Sequence, residues 1–218
     1  MSLKRIISVM LCVAFALILC SACSQAEVNS DRIADNNGSN PEDGPQTLDD
    51  FENVGTDGTF HEETSYGQIN YYINEIKMSD SLAEAGIAED DYNKSGNDTY
   101  DHYLTVSITV ENVDIAPADE SEAEEIQNSS LINVFNMYIK GDAEEIPVEP
   151  VYFNLGGIAN QEANRYFEYE LPKVGETLDV VVAFGFSDKD ISSLKEGSDT
   201  LYLIDYIGME KMKIEGVV

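Results

Sequence analysis

The stretch DDYNKSGNDTYDHYL, residues 90–104, gathers oxygen-bearing side chains just ahead of a strand-like pattern. An EF-hand-type calcium loop needs oxygen ligands at its first, third and fifth positions, glycine at the sixth and a bidentate glutamate at the twelfth. Counted from Asp91, the sixth position is Gly96 and the twelfth is His102, a poor ligand for a hard cation. The candidate ligands are Asp91, Asn93, Ser95, Asn97, Asp98 and Asp101. Two interpretations stay open: a calcium loop with an altered last ligand, or a polar turn built from common turn formers.

The first residues of the chain are typical of an export signal. Lys4 and Arg5 form a short cationic segment, and residues 6–20 are apolar apart from Ser8. This apolar run is shorter than the roughly 18 to 20 residues that span a bilayer as a helix. A basic start followed by a short apolar core predicts secretion.

Cys23 gives this signal a specific end. Ser21 and Ala22 precede it, which resembles a lipobox, although Cys20 stands where that motif usually has leucine. In a lipobox the cysteine is diacylated and becomes the new N-terminus, and two acyl chains give stable anchoring. We therefore expect a signal peptide at residues 1–22 and attachment to the lipid bilayer through diacylated Cys23, on the extracytoplasmic face of the cell membrane. An ordinary secretory signal or an uncleaved anchor is the alternative.

The charge of the chain restricts its partners. Forty-two acidic and 12 basic residues give a net charge of −30, which argues against nucleic acid as a partner because such binding needs clustered Lys and Arg. Residues 23–64 are rich in Asn, Asp, Gly and Ser, and we expect this lipidated cysteine and acidic stretch to be a disordered tether. Residues 65–218 have the length of one domain.

The domain shows the alternation of β-strands. Leu104, Val106, Ile108 and Val110 alternate with polar residues, which predicts a half-buried strand. Six further strands are predicted in residues 67–78 (with a change of face at Ile76), 131–142, 146–157, 165–172, 177–186 and 200–207. The prolines of segment 146–157 predict an edge strand, and the apolar segment 177–186 predicts a central one.

Seven short strands separated by turn residues predict an all-β fold, a two-sheet antiparallel Ig-like sandwich with one or two short helical insertions. One helix is expected after Ser79 or Asp80 as N-cap. A second is expected between Ser187 or Asp188 and Gly197. Residues 117–130 are acidic and predict a loop with a helical turn.

Short motifs connect this pattern to a known group of proteins. TVEN at residues 109–112 ends a strand, LPKVGET at residues 171–177 precedes a strand ending in AFGF, and LYLID at residues 201–205 lies in the last predicted strand. The domain resembles the Ig-like, telokin-like sandwiches of Gram-positive lipoproteins, domains of unknown function related to the immunoprotective extracellular type. The resemblance covers roughly residues 65–208 and implies the sandwich fold, with no catalytic residue to carry over.

The remaining candidates for chemistry are few. His61 and His102 lie near no obvious nucleophile, and no hydrolase or phosphate-loop motif occurs, so we expect no enzyme and no cofactor apart from the calcium considered above. Tyrosines at 66, 72, 100 and 103 could form an exposed aromatic patch, or could be half-buried strand residues. The sequence favours a binding or interaction module with an extracytoplasmic protein partner. The alternatives are a calcium- or small-ligand-binding lipoprotein that uses residues 90–101, and an envelope hydrolase.

Overall fold

Alternating apolar side chains build most of the protein into β-strands. The computed structural model describes residues 47–55, 58–89, 100–117, 128–130, 134–142, 144–156 and 166–218. The strands in chain order are β1 (Glu52–Asn53), β2 (Thr59–Thr64), β3 (Gly67–Ser79), β4 (His102–Asn112), β5 (Asn128–Ser130), β6 (Phe135–Lys140), β7 (Glu145–Val148), β8 (Pro150–Phe153), β9 (Glu168–Glu170), β10 (Thr177–Phe186), β11 (Thr200–Asp205) and β12 (Glu210–Ile214). The predicted all-β sandwich is confirmed.

Two five-stranded sheets form the layers of the sandwich. Sheet A has the order β1-β12-β11-β6-β7, with β1 parallel to β12 and the other neighbours antiparallel. Sheet B has the order β2-β3-β4-β10-β8 and is antiparallel throughout. Strands β5 and β9 form a separate antiparallel pair.

The core lies between the two sheets. The alternating apolar residues of β4 are fully buried, as the sequence pattern predicted. Phe135 of sheet A stands edge-on to two rings of sheet B, with centroids 5.1 Å from Phe60 and 5.0 Å from Tyr71. Such edge-to-face pairs add to the burial of apolar area and fix how the layers face each other.

Most predicted strands are found, the predicted change of face has a structural cause, and one predicted strand is divided into two. The change of face predicted at Ile76 is a bulge in β3, where the register shifts between Ile73 and Glu75. The single edge strand predicted at residues 146–157 is two edge strands, β7 in sheet A and β8 in sheet B, because the chain passes from one layer to the other at Glu149. The predicted central strand β10 is an interior strand of sheet B, and β4 is the middle one.

The helices are short and capped. Helix α1 (Leu82–Ala85) begins after Ser81, whose hydroxyl accepts from the Glu84 N–H, so the predicted caps Ser79 and Asp80 are wrong. Helix α2 (Asp188–Glu196) begins after Ser187 with a capping box and ends at Gly197 with φ of 72°, as predicted. Residues 128–130 of the predicted acidic loop form β5, and residues 118–127 lie outside the described part of the chain.

The predicted start of the domain at residue 65 is wrong. Residues 58–64 belong to the sandwich, since β2 pairs with β3 and Phe60 is fully buried. A 3-10 turn at Leu48–Asp50 and strand β1 also pack on sheet A. The composition of residues 23–64 predicted disorder, but the isolated apolar residues Leu48, Phe51 and Phe60 within this stretch are buried against the sheets.

Two of the quoted motifs meet in space. Asn112, the last residue of TVEN, is 2% exposed, and its side chain donates to the Pro172 carbonyl at 2.8 Å and the Ile115 carbonyl at 3.0 Å. The Gly175 N–H in turn donates to the Asn112 carbonyl at 2.7 Å. Gly175 has a φ of 75°, which favours glycine. The motifs are therefore structural: together they close one end of sheet B.

Candidate functional site

The predicted calcium ligands fall mostly beyond the structural description. Asp91, Asn93, Ser95, Asn97 and Asp98 lie outside the described residues, as does the predicted lipidation site Cys23. Asp101 is described, and its Oδ2 accepts the Asp188 N–H at 3.1 Å at the start of α2. Within the described ranges, no group of three or more His, Cys, Asp or Glu side chains could hold a metal ion.

His102, at the end of the predicted calcium loop, is held between two carboxylates. Its Nδ1 lies 2.9 Å from Asp80 Oδ1 and its Nε2 lies 2.9 Å from Asp188 Oδ1. Burial alone would lower the pKa of His102, but the hydrogen bonds and negative charges of Asp188 and Asp80 outweigh it and raise that pKa. The imidazolium form satisfies both contacts, so this residue acts as a cationic clamp between the β3–α1 corner and α2.

The carboxyl group of Asp205 is buried between the two sheets. Asp205 is 0% exposed, and its Oδ1 accepts the N–H groups of Ile207 at 2.8 Å and Gly208 at 3.0 Å. Its Oδ2 has no hydrogen-bond partner among the described atoms. Burial raises the pKa of Asp205 to about 7, and the charge of Glu62 acts in the same direction.

Glu62 approaches this group from sheet B. It is 4% exposed, and burial raises its pKa, although its Oε2 accepts a hydrogen bond from the Tyr71 hydroxyl at 2.6 Å. A Cβ on Gly208 would lie 2.7 Å from Asp205 Oδ2 and 2.8 Å from the His61 carbonyl, so the β11–β12 turn closes tightly over the carboxyl. Both carboxyls are buried, so neither is accessible to a substrate in this structure.

The outer face of sheet B carries an exposed polar group that we call the sheet-B patch: His61, Gln68, Asn70, Tyr72 and Glu111. The amide of Asn70 is its centre. Its Oδ1 contacts His61 Nδ1 at 2.9 Å and accepts from Gln68 Nε2 at 2.7 Å, while its Nδ2 donates to Glu111 Oε2 at 3.0 Å. The Tyr72 hydroxyl donates to the same Glu111 oxygen at 2.5 Å.

These bonds fix the side chains of the patch relative to one another. Hydrogen bonds from Tyr72 and then Asn70 lower the pKa of Glu111, so its carboxylate is ionised at neutral pH. The Tyr72 residue is nevertheless 36% exposed, and Tyr66 on the same hairpin is 38% exposed. The arrangement offers a fixed anion and exposed aromatic surface on a rigid sheet.

The two interpretations left open for the four tyrosines each hold for two of them, since Tyr66 and Tyr72 are exposed whereas Tyr100 and Tyr103 are packed. Tyr103 is 7% exposed and donates its hydroxyl to the Tyr100 carbonyl at 3.1 Å. The Tyr100 ring covers Gly185 so closely that no Cβ would fit there, and its hydroxyl bonds to Glu149. These two rings belong to a cluster that covers one end of sheet B together with Ile87. Tyr66 and Tyr72 lie on the β2–β3 hairpin, and the open part of the face is centred there.

The outer face of sheet A is covered instead. Residues Thr47–Asn53, which we call the strap, cross it and bury Leu48 to 2% and Phe51 to 4% exposure. These side chains pack against Ile204 of β11, with partly buried tyrosines around them. Phe51 stands edge-on to Tyr206 with ring centroids 5.4 Å apart. Sequence analysis missed this contact because Leu48 and Phe51 form no periodic pattern.

Two depressions also lie on the surface of the described part of the chain. One of about 300 Å³ lies between the end of α2 and the last residues of the chain, and one of about 320 Å³ lies at the LPKVGET turn. Both are open to solvent, and neither contains the buried carboxyls or the sheet-B patch. They give no enclosed space of the kind that small-molecule sites usually have.

Comparisons with known protein families, with curated proteins and with solved structures gave no match. The resemblance to Gram-positive lipoprotein sandwiches therefore stays a prediction from the motifs. No helix in the described residues is long and apolar enough to cross a membrane. The sheet-B patch is therefore identified as the candidate functional surface from the geometry of this chain alone.

Proposed function

We propose that the protein is a lipid-anchored extracytoplasmic binding module that meets a protein partner through the sheet-B patch. In this proposal Cys23 carries the lipid, and the residues up to the strap hold the sandwich at a distance from the bilayer. The observation that carries the binding role is the network centred on Asn70, which fixes a tyrosine and a carboxylate on an exposed sheet face.

Preorganisation is the physical reason to prefer this surface. A partner that contacts side chains already fixed by mutual hydrogen bonds loses less conformational entropy on binding than one that must order them. Tyrosine contributes large contact area together with a polar end and is enriched in protein interfaces. Because Glu111 is ionised, the patch suits a partner that presents a lysine, an arginine or hydrogen-bond donors.

The anchoring part of the proposal rests on the sequence. The cationic start, the short apolar core and the small residues before Cys23 support export and diacylation. The resemblance to Gram-positive lipoproteins supports the same location. Replacing Cys23 by serine should release the chain from membrane pellets and remove the mass of the lipid from the purified protein. Retention of Cys23→Ser in the membrane would contradict the anchoring mechanism.

The binding role is tested by affinity purification of the full lipidated chain from cross-linked cells. We expect a defined extracytoplasmic protein to be retained by the wild type and lost in a Tyr72→Ala, Glu111→Gln variant. Ser107→Ala, on the same face of β4, is the matched control and should retain the partner. Equal recovery with both variants would show that the sheet-B patch is not the contact surface.

Calcium binding by residues 90–101 is the alternative function. The observation that favours it is the sequence pattern itself, which places Asp91, Asn93, Ser95 and Gly96 at the first, third, fifth and sixth positions of a calcium loop. Thermal melts with calcium, with magnesium and with a chelator test whether residues 90–101 bind calcium. A calcium-specific rise in Tm that Asp91→Ala and Asn93→Ala abolish would establish the site, and an unchanged Tm at millimolar calcium would refute it.

A further inference from the structure

We propose that the outer face of sheet A is a second binding site, for an acidic peptide segment of a partner protein, and that the strap of this chain occupies it in the structure. The inference does not depend on the sheet-B patch. It rests on how the strap is held, which uses main-chain pairing, two apolar anchors and matched charges, as in bound peptides.

The main chain of the strap adds a strand to an open sheet edge. Strand β1 pairs in parallel with β12, with Glu52 opposite Glu210 and Asn53 opposite Lys211. The Glu52 N–H donates to the Met209 carbonyl at 2.9 Å, and the Val54 N–H donates to the Lys211 carbonyl at 2.9 Å. These bonds need no particular side chain, so another extended segment could make them.

Two apolar side chains, three positions apart, supply the anchoring contacts. Leu48 and Phe51 lie over Ile204, and Tyr138, Tyr202 and Tyr206 pack around the cluster. Ile204 itself is 1% exposed. Without the strap this face would present an isoleucine ringed by tyrosines to water, a composition typical of interaction surfaces.

Charges around the anchors select an acidic peptide. Lys140 Nζ lies 2.6 Å from Asp49 Oδ1, and Lys211 Nζ donates to the Leu48 carbonyl at 2.5 Å. The Leu48 N–H donates to Glu145 Oε2 at 3.0 Å. Lys140 also lies 3.4 Å from Glu145 Oε1 and is shared between that residue and Asp49. Lys140 and, more weakly, the charge of Lys211 lower the pKa of Asp49, so the two lysines favour an acidic residue at this position between the apolar anchors.

The connection of the strap permits exchange. The strap pairs with sheet A, whereas the next strand, β2, belongs to sheet B, and the joining segment contains Gly55 and Gly58. Gly58 has a φ of 69°, a conformation that favours glycine. Releasing the strap leaves the other four strands of sheet A paired. The strap competes with an incoming peptide at an effective concentration on the order of millimolar, so the wild-type face should bind a free peptide weakly.

The test measures binding of a fluorescent synthetic peptide with the sequence of residues 45–54 to the full chain. Asp49→Lys, which opposes Lys140, and Leu48→Ala with Phe51→Ala are two independent ways of weakening the strap. We expect both opened variants to bind the peptide at least about tenfold more tightly than the wild type, because competition in cis is reduced. Adding Lys140→Glu and Lys211→Glu should abolish this gain, and a peptide with serine in place of its Leu and Phe should not bind.

Circular dichroism establishes whether each variant is folded, and Asp49→Lys keeps both apolar anchors in case the double alanine variant unfolds. Failure of a folded opened variant to bind the peptide, or binding equal to that of the wild type, would overturn the proposal. Sedimentation gives a further result against it: concentration-dependent dimers of the wild type that Phe51→Ala abolishes would make a second copy, rather than a partner peptide, the occupant of the face.

Discussion

The outer faces of the two sheets differ in what they present to water. On sheet A, Ile204 and its neighbouring tyrosines are covered by Leu48 and Phe51 of the strap. On sheet B, the corresponding open region is polar, and Asn70 joins its neighbours into a hydrogen-bonded network. The covered region of sheet A is apolar and needs an occupant, whereas the open region of sheet B is polar and is stable in water without one.

This difference indicates which face can meet a partner without rearrangement. The sheet-B patch is exposed and its side chains are already positioned. The sheet-A face becomes accessible only when the strap leaves, and its release exposes apolar surface at a cost of about 25 cal/mol per Å². The first face suits constitutive binding, and the second suits binding that must displace a segment of the chain.

The largest expected effect on stability concerns Asp205, which is buried in the core between the two sheets. The folded pKa of Asp205, about 7, exceeds the ordinary aspartate pKa of 3.8, so the contribution of this group to stability is complete below pH 4 and is lost as the pH rises to about 7. The loss amounts to about 4 kcal/mol. Asp205→Asn should remove most of this dependence and be more stable than the wild type at pH 8, as measured by urea unfolding at pH 5 and pH 8.

Glu63→Gln is the control for this experiment, since it removes an exposed acid from the same strand as Glu62. It should leave the slope of stability against pH as in the wild type. If Asp205→Asn retains the wild-type slope, the buried carboxyl is not its source, and the effect of pH must come from the surface charges.

The next effect separates the two faces directly. Phe51→Ala removes a side chain that is 4% exposed in the strap and should lower the free energy of unfolding by about 3 kcal/mol. Tyr66→Ala, an exposed aromatic of the β2–β3 hairpin, is the matched control on sheet B and should cost less than about 1 kcal/mol. Equal losses in denaturant unfolding would show that the strap contributes no more than an exposed ring.

A smaller effect is expected at the end of sheet B where α1 and α2 begin. Asp188→Asn should lower the pKa of His102 by removing one of its two carboxylate partners, which NMR titration of the imidazole would detect. The clamp contributes stability fully below pH 6.5 and loses it as the pH rises through the raised folded pKa. An unchanged His102 pKa in this variant would contradict the clamp, with Glu196→Gln at the other end of the same helix as the control.

The smallest stability effect belongs to the sheet-B patch. Tyr72→Phe removes the hydroxyl that donates to Glu111 at 2.5 Å but leaves the exposed ring. The free energy of unfolding should therefore change by about 0.5 kcal/mol or less. Binding of the partner should weaken because Glu111 loses a bond that positions it. A large loss of stability would show that the network holds the fold rather than a binding surface.

The amino-acid sequence predicted the fold more completely than it predicted the candidate sites. Period-two alternation in β4, and Ser187 and Gly197 at the ends of α2, are local signals that predicted their elements. The prolines of segment 146–157 correctly indicated a sheet edge but did not show that the chain forms two edge strands there. Strand β2 and the strap were missed because Leu48, Phe51 and Phe60 are isolated apolar residues, and what buries them is a distant strand. No local pattern reports such a contact.

The same limit applies to the chemistry. His102 was recognised only as a poor twelfth ligand of a calcium loop, and that local pattern could not show its two carboxylate partners, which lie 22 and 86 positions away. Asp205 was seen as one member of an alternating strand, and its burial beside Glu62 depends on how the two sheets pack. The sequence shows which groups are present, while their protonation depends on neighbours that the fold brings together.

The central claim is that the sheet-B patch is the partner-binding face while sheet A is covered. The most direct measurement is site-specific photocross-linking in cells, with a photoreactive phenylalanine analogue placed at Tyr66, which lies on the β2–β3 hairpin beside the patch, or at Tyr202. We predict one discrete adduct of higher mass from position 66 and none from position 202. An adduct from position 202 alone, or the absence of one from position 66 while the protein is folded, would contradict this assignment of the binding face.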